Sequence, residues 1–229
     1  MSYEILILCC LAALMIGLLN LKALGKNPYI VLKYVVSLLV SFTILRYVTL
    51  IIYGDSPKYQ LLQSLRYFYF SSSLGITMTT ASAIWYITPC YREKIRYPYF
   101  IACFTPWILF DLYIILKQPT EITQGSQFGY QLILSGSFPY YLSIMQGSLV
   151  VILSTLCLIG IVRYKHLQIR TQLFLILLAQ VLLTLDGLSY RSEQVRIFPV
   201  FTVTEAFSLM TTYYAFSKTV KVIRALKSQ

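Results

Sequence analysis

An all-α fold, a seven-transmembrane helix bundle, follows from three properties of the sequence. It has seven apolar runs of bilayer length, little charge within them, and a basic bias that alternates from one connection to the next. A hydrocarbon core about 30 Å thick takes roughly 20 apolar residues of helix to cross. The runs cover 5–24, 29–53, 61–87, 98–116, 138–162, 170–190 and 197–217. Hydrophobic residues make up 58% of the 229 and charged residues 12%, and the mean hydropathy is +0.70. A soluble domain carries about a quarter charged residues, so this chain is expected to lie almost wholly in a bilayer as one domain over 1–217, with a short basic tail over 218–229.

Charge in the connections sets the threading, because short Lys/Arg-rich loops stay on the cytoplasmic side. The segment before the first run holds Glu4 and no base. The first, third and fifth connections carry Lys22 and Lys26, then Arg92, Lys94 and Arg96 against Glu93, then Arg163, Lys165 and Arg170. The tail adds Lys218, Lys221, Arg224 and Lys227. The alternate connections are mixed: Asp55 with Lys58 and Arg66, Lys117 with Glu121, and Arg191 and Arg196 with Glu193. The N-terminus is therefore expected outside and the C-terminus in the cytoplasm. The +11 net charge has the same origin and suits anionic headgroups. Nucleic acid is not an expected partner, since no soluble element offers it a basic face.

The first run lacks the basic n-region and the small-residue cleavage site of a signal peptide, so it is expected to remain as a helix. The third run is rich in small residues, from Ser71, Ser72 and Ser73 through Gly75 to Ala83, which predicts close helix packing and the most enclosed position. The connection over 117–137 is polar, contains Gly and lies outside, long enough to fold as a lid. Tyr29, Tyr53, Tyr86, Tyr97, Tyr99, Tyr113 and Tyr190 lie near run ends, as headgroup anchors do, although 20 Tyr exceed what anchoring needs. Cys9, Cys10, Cys103 and Cys157 fall inside apolar runs and are expected as buried small hydrophobes, with no clustered spacing for a metal.

Ionisable side chains inside a bilayer are costly and ask for a partner or a purpose. Four stand out: Arg46, Asp111, Asp186 and Glu205. At 1.5 Å per residue they lie about 10, 9, 7 and 13 Å below the outer boundary, on different helices. An unpaired guanidinium there would be expensive, so Arg46 is expected to pair with one acid, leaving two acids without a counter-charge. Either these groups floor an outward-facing ligand cavity, with Arg66, Gln146 and Gln180 as further members, or they are interhelical ion pairs and hydrogen bonds, with Asp186 snorkelling at the rim. Excess acid would suit a cationic or amine-bearing ligand.

Catalysis is not expected. His166 is the single histidine and lies on an inner loop, and Asp111 and Asp186 lack the sequence context of an intramembrane aspartyl protease. Lys218 sits at the inner end of the last run, away from the position a retinal Schiff base requires. No metal or cofactor is expected.

From the third run onward the features follow a recognisable order. Tyr91, Arg92, Glu93 and Lys94 form a basic inner loop before Pro106, and Gln131 to Tyr140 with Gly136 leads into the fifth run. Arg170, Thr171 and Gln172 open the sixth, ahead of Leu177, Leu178 and Tyr190; Thr204 and Glu205 precede a closing stretch from Tyr213 to Lys218. This order resembles the seven-transmembrane N-terminal sensor region of bacterial histidine kinases, over about two thirds of the chain. Leu183 stands where that family often has Pro, and 229 residues leave no room for its kinase domains. The resemblance implies a non-enzymatic sensor or accessory subunit in the cell membrane, the bacterial cytoplasmic membrane for that family. It would read an extracellular small molecule or peptide and hand the signal to a protein partner, a kinase or a transporter subunit. Val220, Ile223 and Leu226, beside Lys221, Arg224 and Lys227, are spaced to dock a partner helix or to lie along headgroups. The alternative is a small transporter or permease-like subunit of an export or self-immunity system; the absence of internal repeats argues against it.

Overall fold

A computed structural model describes residues 2–54, 59–125, 129–189 and 201–227. Its helices are α1 (Ser2–Gly25), α2 (Ile30–Gly54), α3 (Tyr59–Tyr69), α4 (Ser71–Ile87), α5 (Pro89–Lys94), α6 (Tyr97–Ala102), α7 (Thr105–Lys117), α8 (Phe138–Arg163), α9 (Leu167–Ser189) and α10 (Thr202–Lys227). One antiparallel hairpin, β1 (Thr120–Gly125) and β2 (Gly129–Leu134), interrupts them. Asp55, Lys58, Tyr190, Arg191, Glu193 and Arg196, which entered the charge and belt expectations, lie outside the described residues, as do the side chains of the basic tail from Val220 onward.

Four helices among the described residues are long and apolar enough to cross a membrane: Tyr3–Gly25, Ile30–Gly54, Phe138–Arg163 and Leu167–Gly187. Their outer faces are apolar too, with Val162 85% and Leu167 77% exposed. A helix that is hydrophobic all round belongs in lipid or in a deep core. The chain is a multi-pass membrane protein of helical class.

Two of the apolar runs are not single helices. The third divides at Phe70, and carbonyls near the break have hydroxyl neighbours: Ser71 Oγ lies 2.6 Å from Phe68 O and Ser73 Oγ donates to Phe70 O at 2.7 Å. The fourth divides at Cys103–Phe104, because Pro106 in the first turn of α7 has no N–H for the carbonyl four residues back. Thr105 Oγ1 donates to that carbonyl, Ala102 O, at 2.6 Å. Irregular backbone in an apolar medium persists where such partners exist.

Contacts between helices show successive long segments running in opposite directions. Tyr3 on α1 donates to Ile51 O near the end of α2 at 3.0 Å. Ser71 at the start of α4 lies 2.7 Å from Phe42 O on α2, while Tyr86 near its end faces Tyr29. Ser82 on α4 meets Tyr97 on α6 at 2.9 Å, and Trp107 on α7 donates to Met145 O on α8 at 3.0 Å. Gly160 on α8 packs on Leu173 of α9. Thr204 at the start of α10 donates to Asp186 near the end of α9 at 2.8 Å, and Thr219 to Gln172 at 3.4 Å. Asn20 Nδ2 then ties α1 back to α10 through Leu209 O at 2.9 Å.

The central helix is α4, buried at every position except Ser73. A Cβ added at Gly75 would collide with Thr43 Oγ1 and with Leu39 O of α2, so the two backbones meet there and only glycine fits. The connection over 117–137 contains the hairpin. Ile122 and Leu132 are opposed across it and pack with Tyr53, Leu62, Leu65 and Tyr69, over the far end of α2 and along α3.

Several rim expectations are corrected. Tyr53, Tyr86 and Tyr97 are buried in helix packing, Tyr53 donating to Leu62 O at 2.6 Å, whereas Tyr29, Tyr99 and Tyr113 remain exposed. Cys103 is exposed, because the α6–α7 break turns it outward, and Cys9 is half-buried; Cys10 and Cys157 are buried.

Candidate functional site

Every buried ionisable group expected from the sequence lies at the hairpin end of the bundle, and each has a polar partner from a neighbouring helix, with Arg46 Nε left without one. Arg46 (α2) and Glu205 (α10) form the one salt bridge among the described residues, Nη1 to Oε1 at 3.4 Å, with side chains 9% and 7% exposed. Ser72 of α4 joins them: Arg46 Nη1 donates to Ser72 Oγ at 2.6 Å, and Ser72 Oγ donates to Glu205 Oε1 at 2.9 Å. Tyr47 OH donates to the other oxygen, Oε2, at 3.2 Å. The Tyr69 ring centroid lies 6.0 Å from Arg46 Cζ, a cation–π distance. Glu205 is in the first turn of α10 and Ser72 in the first turn of α4. Helix N-termini carry partial positive charge, so both ends favour a carboxylate here.

Asp111 on α7 is 1% exposed and takes one amide from α8, Gln146 Nε2, at 3.1 and 3.4 Å to its two oxygens. Ser73, whose hydroxyl donates to Phe70 O, neighbours the same carboxyl. Asp186 Oδ2 accepts from Phe201 N and from Thr204 Oγ1, both at 2.8 Å, fastening α9 to the start of α10. Ser72 with Ser73, and Thr204 with Glu205, are consecutive pairs. The three acids therefore form a belt: Asp111, Ser73, Ser72, Glu205, Thr204, Asp186.

Arg66 and Gln180 do not join this belt. Arg66 lies on α3 with its guanidinium 5.8 Å from the Tyr67 ring, and its backbone oxygen accepts from Gln118 Nε2 at 3.4 Å. Gln180 is buried on α9, and its Nε2 has no hydrogen-bond partner. Two surface cavities lie at the opposite end of the bundle and touch none of the candidate residues. Among the described residues no group of three His, Cys, Asp or Glu could hold a metal ion.

The sequence marked the charges and Gln146, the partner of Asp111, but not their other companions. Ser72 and Ser73 stood out there only as small packing residues. Tyr47 and Tyr69 carried no mark beyond an excess of tyrosine. One signal was available: Tyr47 adjoins Arg46, and aromatic hydroxyls beside an intramembrane charge are economical donors. Compared with known proteins, the chain matches no family model and no curated protein.

Proposed function

We propose that the chain crosses the membrane seven times, with its N-terminus and hairpin outside and the far end of α10 in the cytoplasm. It then works as a non-enzymatic sensor or accessory subunit whose outer end passes a signal through α10 to a protein partner. The threading draws support from the alternating helix directions and from the basic connections, which all fall at the end opposite the belt.

One observation carries the relay: a continuous line of contacts from the hairpin to α10. Leu132 and Ile122 pack with Tyr53 and Tyr69, whose ring centroids are 5.2 Å apart. Tyr69 lies over Arg46, Arg46 pairs with Glu205, and α10 continues unbroken to Lys227. A buried pair suits a switch, because an intact pair and a separated pair are discrete states with a costly middle. A ligand that moves the hairpin would bias that choice by its differential affinity for the two states.

The test is made in membranes on an otherwise cysteine-free chain. Glu121→Cys should react with an impermeant thiol reagent added outside, and Lys218→Cys should not; the reverse pattern overturns the threading. Spin labels at Lys94→Cys and Lys218→Cys then report the position of α10 against the inner loop. Tyr69→Leu and Glu205→Gln should each shift that distance distribution. Unchanged distributions in folded variants overturn the relay.

A small transporter is the alternative. Three buried polar atoms without hydrogen-bond partners, Asn20 Oδ1, Gln180 Nε2 and Ser208 Oγ, favour it, since they lie on α10 and on the two helices, α1 and α9, that pack against it. Cation uptake into vesicles that vanishes in Gln180→Leu would select it.

A further inference from the structure

We propose that the cavity between the α1–α2 turn and the α4–α6 segment binds the phosphate group of an anionic headgroup through Arg92 and Arg96. This inference rests on the cavity itself and stands apart from the sensing proposal.

The cavity measures about 350 Å³ and is lined by Pro28 to Leu32, Trp85, Arg92, Arg96, Tyr97 and Pro98. That volume is within the range of about 300–1,000 Å³ seen for ligand sites. The only salt bridge among the described residues is at the other end, so neither arginine has a carboxylate of those residues within 4.0 Å. The Arg92 guanidinium carbon lies 6.0 Å from the Tyr86 ring centroid, and its Nε is buried without a hydrogen-bond partner. Its stem is thus held while its charge is unneutralised, which pre-positions the planar fork that phosphate oxygens fit.

The other wall is an aromatic cluster. Trp85 meets Tyr29 at 5.5 Å and Tyr97 at 5.2 Å between ring centroids, and its indole N–H is already engaged by Ile95 O at 2.9 Å. Trp85 therefore offers an apolar face. Ile30 and Val31, 68% and 50% exposed, carry that wall onto the outer surface of α2. Cationic groups above and an apolar surface alongside match a phospholipid, whose phosphate sits where its chains begin. A soluble phosphate would use the arginines alone.

The chain has two tryptophans, so Trp107→Phe leaves Trp85 as the single indole, placed in the cavity wall. Its emission is titrated in detergent micelles with phosphatidylglycerol, with phosphatidylcholine and with inorganic phosphate alone. Phosphatidylglycerol should saturate the change at a concentration at least tenfold below phosphatidylcholine. Arg92→Gln with Arg96→Gln should raise that midpoint tenfold or more, and Arg92→Lys with Arg96→Lys less. Arg163→Gln with Arg170→Gln should leave it unchanged. Saturation by inorganic phosphate with the same arginine dependence would uphold the site and assign it to a soluble phosphate. Equal response to both lipids, or no loss in the Gln variant, overturns it. Should the double Gln variant fail to fold, the exposed Arg96→Gln alone decides, with the same outcomes.

Discussion

Glu205 and Asp111 are both carboxylates buried at the hairpin end, reached from neighbouring residues of one turn of α4, yet the bundle holds them differently. Glu205 has a guanidinium at 3.4 Å and two hydroxyls, drawn from α2 and α4. Asp111 has the Gln146 amide and the nearby Ser73 hydroxyl, and no cation within 4.0 Å among the described residues. A charge pair in a low-dielectric site makes each partner dependent on the other. A carboxyl held by an amide depends only on hydrogen-bond geometry, which a neutral isostere can imitate. The Glu205 site is therefore a joint between helices, and the Asp111 site a local fastening.

Substitutions that separate charge from hydrogen bonding would break or sharpen this contrast, each read as thermal unfolding of the detergent-solubilised chain. The largest loss is expected for Glu205→Leu, about 3–5 kcal/mol, because Arg46 is left as an uncompensated buried charge. Ser72→Ala removes the hydroxyl shared by both ions and should cost about 1.5–3 kcal/mol, the range for hydrogen bonds to charged groups. Asp111→Leu leaves the Gln146 amide without its acceptor, for a loss of about 1–3 kcal/mol. Asp111→Asn keeps an acceptor there and should cost about 1 kcal/mol or less. If Asp111→Asn proved as damaging as Glu205→Leu, the two sites would be equivalent and the contrast would fail.

How much of this could be read from the sequence depends on the length scale of the cause. Hydropathy is local, so the apolar runs are plain, and the helices that bear them follow. The divisions at Phe70 and at Cys103–Phe104 were less visible. Pro106 marks the second in the sequence, but the first has no breaker residue, only serines with donors for nearby carbonyls. The hairpin was hidden because its strands are short and its apolar residues, Ile122 and Leu132, become meaningful only beside Tyr53 and Leu62. That Arg46 needed an acid follows from burial. That the acid is Glu205 does not, because three carboxylates lay at similar depth and only the adjacency of α2, α4 and α10 selects among them. Ser72 was legible as a small residue, and its role as a bridge belongs to the three-helix junction.

The joint itself is tested most directly by a double-mutant cycle on Arg46 and Glu205, read as thermal unfolding. Arg46→Met and Glu205→Leu should each cost about 3–5 kcal/mol alone, while the double variant returns close to the parent stability or exceeds it, since removing both ions removes their desolvation. Additive losses in the double variant would contradict the account, for they would mean that the two side chains hold α2 and α10 independently.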